Sequence, residues 1–306
     1  MPAPRFLTVC LNPVVQRTIV LDRLRVHEVN RSVEHRLDAS GKGINVTRVL
    51  TQLGERATHL CQAGGWNREL WLGLAEEDRI EVHWVESDTP IRFCTTLVDR
   101  SAHAATEIVE AAERVSPEVE ARVVQAFEQL LPDHQVVIFS GTKAAGFTDE
   151  LFPAMVKQAK RAGAMVVLDV RGSDLVRSLP HRPDVIKPNF SEFVGTFLAD
   201  RDPGEHACDP QIEVRARQEM SAIRREFGCE VVLTRGKRST FFTVDADVAE
   251  AEPPQIEPVN PIGSGDAFTA GLAAALVRGC SLGEAVVRAH ECGARNARHL
   301  RPGVIR

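Results

Sequence analysis

The 306 residues carry 37 Lys and Arg against 42 Asp and Glu, a net charge of −5 with histidines neutral. With no basic excess or dense Lys/Arg tract, the chain lacks the electrostatic footprint for nucleic acid or an anionic membrane, so small molecules are the expected partners. The seven cysteines (Cys10, Cys61, Cys94, Cys208, Cys229, Cys280, Cys292) form no Cys-x-x-Cys pair and no zinc spacing, as expected of reduced packing residues in a cytoplasmic protein.

From the N-terminus, 6–11 reads as an apolar strand, too short for a signal-peptide apolar region or a membrane span. Residues 18–21 follow as a strand. Val46, Val49, Leu50 and Leu53 then recur at helical spacing before Gly54. Residues 93–98 and 107–109 are strands with no helix between them long enough for a parallel crossover, so with 18–21 they predict a small antiparallel lid. Beyond this point helices at 117–130, 149–162 and 214–227 alternate with strands at 136–139, 165–169, 185–187 and 230–234. Several of these strands are apolar throughout, the signature of parallel strands buried on both faces. The alternation predicts an α/β fold with a doubly wound, mainly parallel sheet flanked by helices. The polar stretch 201–210 predicts a surface loop.

Chemistry concentrates in two glycine-rich turns. Asn260-Pro261-Ile262-Gly263-Ser264-Gly265-Asp266 runs into an alanine-rich helix that ends by Arg278-Gly279. Unpaired N–H groups and the helix dipole at such a terminus favour an anion, with Asp266 placed to accept a hydroxyl proton. On its own the segment reads equally well as a plain turn, with Asp266 as a favourable dipole partner. Gly41-Lys42-Gly43-Ile44-Asn45 opens another helix, where glycines permit close approach of a ligand and Asn45 can both donate and accept hydrogen bonds. Lys42 is either part of that site or a solvated charge. Two such turns suggest one shared site.

Together these segments resemble the ribokinase-like carbohydrate kinases of the phosphofructokinase B type, across nearly the whole chain. Asn12-Pro13, Val29-Asn30-Arg31 and the run through Gly54 are similar to the branch of fructose-1-phosphate and tagatose-6-phosphate kinases. The resemblance implies one ribokinase-like domain over 1–306, with a lid from about 13–37 and 88–110. It implies an ATP-dependent phosphotransferase with ATP and Mg2+ as cofactors and a sugar phosphate as acceptor, and Asp266 as base beside an anion hole of Gly263, Ser264 and Gly265. Gly41, Lys42, Gly43, Asn45, Ser140, Arg31 and Arg92 become substrate contacts, the arginines suiting a phosphate. Lys187, Asn189, Glu192, Thr234, Gly236 and Asn296 become nucleotide contacts. Within that set Asn189 and Glu192 organise the metal through water, although by themselves they also read as a helix cap and its capping-box partner. Gly293-Ala294-Arg295-Asn296-Ala297 resembles the helical wall beside the adenine. Pairing of two lids would cover their strand edges and predicts a homodimer.

Departures from the family pattern bear on the acceptor. Gln16 stands where related kinases have an aspartate three residues after the proline. Lys143, in Ser140-Gly141-Thr142-Lys143, and Arg171, in Asp169-Val170-Arg171-Gly172, each add a cation. If Lys143 and Arg171 face the cleft, the acceptor carries more negative charge than a neutral sugar. The alternatives are a kinase for another sugar, a nucleoside or an acidic sugar derivative, and a noncatalytic sugar-phosphate sensor.

Overall fold

A computed structural model describes residues 4–198 and 209–306. From β1 (Arg5–Val9) the chain leaves for the lid strands β2 (Val14–Leu21) and β3 (Glu34–Ser40), then returns through α1 (Lys42–Gln52), β4 (Arg56–Gly64), α2 (Arg68–Glu77) and β5 (Glu81–Ser87). It adds β6 (Arg92–Asp99) and β7 (Ala104–Val109) to the lid. The second half continues with α3 (Pro117–Leu130), β8 (Val136–Ser140), α4 (Leu151–Arg161), β9 (Met165–Asp169), α5 (Gly172–Ser178), β10 (Val185–Ile186) and the one-turn α6 (Phe190–Phe193). After it come α7 (Pro210–Phe227), β11 (Glu230–Arg235), β12 (Arg238–Val244), β13 (Asp247–Ala251), α8 (Ser264–Val277) and α9 (Leu282–Ala297).

The main sheet has the order β13-β12-β11-β10-β9-β8-β1-β4-β5. Every pair from β5 across to β11 is parallel, and β12 and β13 close one edge antiparallel. Successive strand residues point to opposite faces, so the apolar runs serve two cores at once. Leu7, Val9, Val137, Phe139, Val166 and Leu168 pack under α3, α4, α5 and α7. Their neighbours Phe6, Val136, Ile138 and Val167 pack under α1, α8 and α9. Strand order reverses between β1 and β8, and the crevice outside the carboxyl ends of strands at such a switch point is where open α/β sheets bind ligands.

The lid is a four-stranded sheet of order β3-β2-β6-β7. Its two hairpins, β2–β3 and β6–β7, are antiparallel as expected, whereas the central β2–β6 pair is parallel. The crossover that permits this is the whole segment from β3 to β5, a longer connection than a search for a local helix considers. One lid face, with Val15, Ala39 and Phe93, packs on Trp71 and Ala75 of α2.

The expected loop at 201–210 lies mostly outside the described residues. Its last residue, Pro210, begins α7, with Asp209 as N-cap accepting from the Gln211 N–H, so this helix starts four residues before the expected 214. No helix among the described residues is long and apolar enough to cross a membrane.

Candidate active site

The site assembles where the carboxyl ends of the central strands meet the N-termini of α1 and α8. Gly41 caps α1 at φ 112° and ψ 151°, a conformation closed to residues with a side chain. Gly263 caps α8 at φ 83°, and a Cβ there would stand 2.8 Å from Pro302 Cβ. Both turns are therefore fixed by backbone geometry. Gly43 differs: a Cβ would fall 2.5 Å from Cys10 Cβ and 2.8 Å from His59, so its missing side chain lets α1 settle on the sheet.

Asp266 sits in the first turn of α8, 7% exposed, and its Oδ2 accepts a hydrogen bond of 2.8 Å from Asn45 Nδ2. Burial pushes its carboxyl up to about 7; Lys42, the Asn45 hydrogen bond and Lys187 oppose that rise, and Asp169 adds to it. The Ser264 N–H is taken by the Pro261 carbonyl at 3.1 Å. The Gly263, Gly265 and Asp266 N–H groups have no backbone acceptor among the described residues, so of the expected Gly263-Ser264-Gly265 donors only that of Ser264 is already engaged. A Cβ on Gly265 would lie 4.0 Å from Lys187 Nζ, which brings a buried ammonium to the same turn.

Beneath this turn Asp169, at the end of β9, is fully buried. Its Oδ1 meets Lys42 Nζ and Lys187 Nζ at 3.3 Å each, and its Oδ2 accepts from Ser140 Oγ (3.2 Å) and Thr269 Oγ1 (3.1 Å). Burial works against its charge, but Lys187 and Lys42 prevail and hold the carboxyl below the usual range. Lys42 also reaches Glu192 Oε1 at 3.2 Å. Burial opposes the Lys42 charge too, and Asp169, Glu192 and Asp266 outweigh it, raising the ammonium above its ordinary pKa. Lys42 thus links the first glycine turn to the Asn189–Glu192 element.

That element is a capping box: Asn189 Oδ1 accepts from the Glu192 N–H (2.8 Å) and Glu192 Oε2 from the Asn189 N–H (3.0 Å). Thr234 lies beside it through a parallel bridge to Asn189. Gly236, at φ 61°, makes the turn between β11 and β12.

A family model described as pfkB family carbohydrate kinase matches residues 11–303. The chain belongs to the pfkB carbohydrate kinases. Among solved structures, a Thermotoga maritima protein named as a possible 1-phosphofructokinase superposes with a TM-score of 0.85 at 20% identity, over 97% of this chain and 93% of that one. Escherichia coli phosphofructokinase-2 in its tetrameric inhibited form gives 0.82 at 21%, over 96% and 94%. The same enzyme with substrates and products gives 0.82 at 22%, over 96% and 93%.

Several residues expected in the site have partners or positions of their own. Lys143 is drawn to Asp174 and lies 5.0 Å over the Phe152 ring, on the α4–α5 side of the sheet, because an acidic partner and an aromatic face are both within its reach. Arg31 is exposed beyond the far end of β2, roughly 25 Å along the strand from the Gly41 turn at about 3.3 Å per residue, so the structure does not bring it to Asp266. Ser140 is fully buried and donates to Asp169. Asn296, expected beside the adenine, is fully buried as well. Its amide donates to Ile262 O (2.9 Å) and Ser264 Oγ (3.2 Å) and accepts from the Gly303 N–H (2.6 Å), bracing the turn before α8. A Cβ on Gly293 in the same helix would stand 3.2 Å from the Ser264 carbonyl oxygen, so its absence again serves close helix approach.

Gln16 is 2% exposed on the lid, donating to Thr96 Oγ1 at 2.8 Å, with Asp38 and Cys94 as its cross-strand neighbours. Arg92 lies on that same lid face. There its Nη1 donates to the Glu110 carbonyl at 3.1 Å. Arg171 is exposed just past Asp169, at the N-cap of α5.

Asp169 and Thr269 were not among the residues expected in the site. An aspartate closing an otherwise apolar buried strand was the available signal for Asp169; Thr269 sits one turn after Gly265 and gave none.

Proposed function

We propose that this pfkB carbohydrate kinase transfers the γ-phosphoryl group of ATP to a hydroxyl of a phosphorylated ketohexose, fructose 1-phosphate or tagatose 6-phosphate being the nearest candidates, with Asp266 as general base. The observation that carries the reading is a buried carboxyl held by the Asn45 amide, beside N–H groups without a backbone acceptor at a helix N-terminus, where burial pushes it up to about 7. A base poised near the working pH combines a useful ionised fraction with real proton affinity. Asp266 takes the proton of the attacking hydroxyl while the Gly265 and Asp266 N–H groups and Lys187 face the charge that develops on the transferring group.

No group of three or more His, Cys, Asp or Glu that could hold a metal occurs among the described residues. Both Glu192 oxygens already accept hydrogen bonds, from Lys42 and from the Asn189 N–H. Such a donor set fits a magnesium ion that keeps its waters and is held chiefly by nucleotide phosphates, with Asn189 and Glu192 binding those waters. When bound, the ion neutralises phosphate charge and orients the γ-phosphoryl group. Lys187, Thr234 and Gly236 border the place for that nucleotide. The lid would exclude water from the acceptor. Ile108 and Val109, exposed on its outer strand β7, would suit the pairing of two lids in a homodimer.

Support for a phosphorylated acceptor comes from Arg92 on the lid face and from structural neighbours named as phosphofructokinases. A second reading, an acceptor without phosphate, is favoured by the placement of Lys143 on Asp174 and of Arg31 beyond the lid strands. Steady-state KM values for fructose 1-phosphate and tagatose 6-phosphate against free fructose and tagatose decide between them. A lower KM and higher kcat for a phosphate ester support the first reading; preference for the free sugar overturns it.

A further inference from the structure

We infer that Arg48 is a positioning residue for phosphoryl transfer: it holds the Asn45 amide in the one orientation that donates to Asp266. The inference rests on Asp266 being the base.

Arg48 lies one turn beyond Asn45 on α1, outside both glycine motifs, with a side chain only 5% exposed. Its Nη1 donates to Asn45 Oδ1 at 2.8 Å and to the Pro302 carbonyl at 3.2 Å. Its Nε and Nη2 donate to Asp78 Oδ2 at 3.0 and 2.9 Å, and Nη2 also reaches the Ala39 carbonyl at 2.5 Å. Arg301 pairs with Asp78 as well, and through its Nε with Asp38 Oδ1 at 2.7 Å. The guanidinium is therefore pinned by the end of α2, by lid strand β3 and by the segment after α9. A Cβ on Gly303 would stand 2.9 Å from Arg48 Nη1, so even the backbone beside it is cut to fit.

The consequence follows from what each group can do. An amide side chain has a donor end and an acceptor end, and a guanidinium can only donate. With Arg48 fixed, the Asn45 oxygen must turn to it, which leaves Nδ2 facing Asp266. Ser40 Oγ also meets Asn45 Oδ1, at 3.3 Å, but a hydroxyl rotates to donate or accept and so does not choose the orientation. Without Arg48 only the ionised Asp266 carboxylate, itself an acceptor, selects that orientation, and once Asp266 is protonated the amide is free to invert and accept from it. The charged groups facing Asp266 from its other neighbours, Lys42 on α1, Asp169 on β9 and Lys187 after β10, are left in place by a change at Arg48.

The test reads Asp266 itself and needs no acceptor. Full-length protein labelled with 13Cγ-aspartate is titrated by NMR, the Asp266 resonance being assigned by its loss in Asp266→Asn. Wild type is compared with Arg48→Gln, Arg48→Lys, Asn45→Ala and the double variant Arg48→Gln/Asn45→Ala. Arg48→Lys keeps the charge opposite Asp78 but, lacking the planar fork, cannot serve Asp78 and Asn45 together, so it provides the comparison if Arg48→Gln does not fold. Loss of a hydrogen bond to a charged group raises the Asp266 midpoint by about one pH unit in each single variant. In the double variant the midpoint moves no further than in Asn45→Ala, because Arg48 acts through Asn45. These shifts with a wild type silent on every sugar would refute the kinase reading, and with it a role of Arg48 in phosphoryl transfer, while its orientation of Asn45 toward Asp266 would stand. Unchanged midpoints in both Arg48 variants, or shifts that add in the double variant, would overturn the inference.

Discussion

Asn45 Nδ2 and Asp266 Oδ2 meet at 2.8 Å across 221 residues of chain, and this hydrogen bond joins the two glycine turns into one site. It stabilises the ionised form of a carboxylate that burial would otherwise keep protonated. Replacing the amide with a second carboxylate, Asn45→Asp, sets two like charges side by side. The acidic limb of the pH profile of kcat/KM should then move up by about one unit or more. Initial rates from about pH 5 to pH 9 check this, and a limb that stays put would mean that the hydrogen bond does not tune the base.

The pH dependence of stability has a definite sign. Asp266 in the folded protein titrates at about 7 against an ordinary 3.8, so between those values the folded state holds the extra proton and stability falls as pH rises. The neutral isostere in Asp266→Asn escapes that penalty. Its stability relative to wild type should therefore be greater at about pH 8 than at about pH 5, measured by urea unfolding at both. A difference independent of pH would contradict the elevated pKa.

Asp169 is the sole carboxylate in contact with both Lys42 and Lys187 among the described residues. Removing its charge in Asp169→Asn leaves the 3%-exposed Lys187 without its anion and should cost about 3–5 kcal/mol in chemical denaturation. Because Asp169 also raises the Asp266 carboxyl, the acidic limb of activity in this variant should move down, opposite to Asn45→Asp.

Arg92 and Lys143 separate two views of acceptor charge. Arg92→Met should raise KM for a phosphorylated acceptor about 10-fold or more, as loss of a charge-assisted contact does, while Lys143→Met should change KM by less than about 2-fold. Equal effects in the two variants would mean that Lys143 leaves Asp174 to meet the acceptor.

The sheet was legible where local rules act alone. The 117–130 helix was placed to the residue because Pro117 occupies its first turn, and 165–169 because its apolar run serves two buried faces. β4 escaped notice because Thr58, His59 and Gln62 interrupt its apolar pattern, although all three are buried in the fold. There His59 is held uncharged, its pKa taken down to about 3 by burial. The glycine turns were visible because special backbone geometry demands special residues. The partners of Lys42 and Asn45 were not, because side chains brought together from 127 or 221 positions apart leave no local pattern. The partners of Lys143 and Ser140, Asp174 and Asp169, were hidden for the same reason, standing 31 and 29 positions away.

The most direct measurement is ADP formation from ATP and Mg2+ across fructose 1-phosphate, fructose 6-phosphate, tagatose 6-phosphate, free hexoses and nucleosides, for wild type and Asp266→Asn side by side. The account predicts turnover of one phosphorylated ketohexose well above the rest, falling by about 10²–10⁴-fold in Asp266→Asn while the fold is retained. Turnover that survives in folded Asp266→Asn, or a wild type that turns over none of these acceptors, would contradict it.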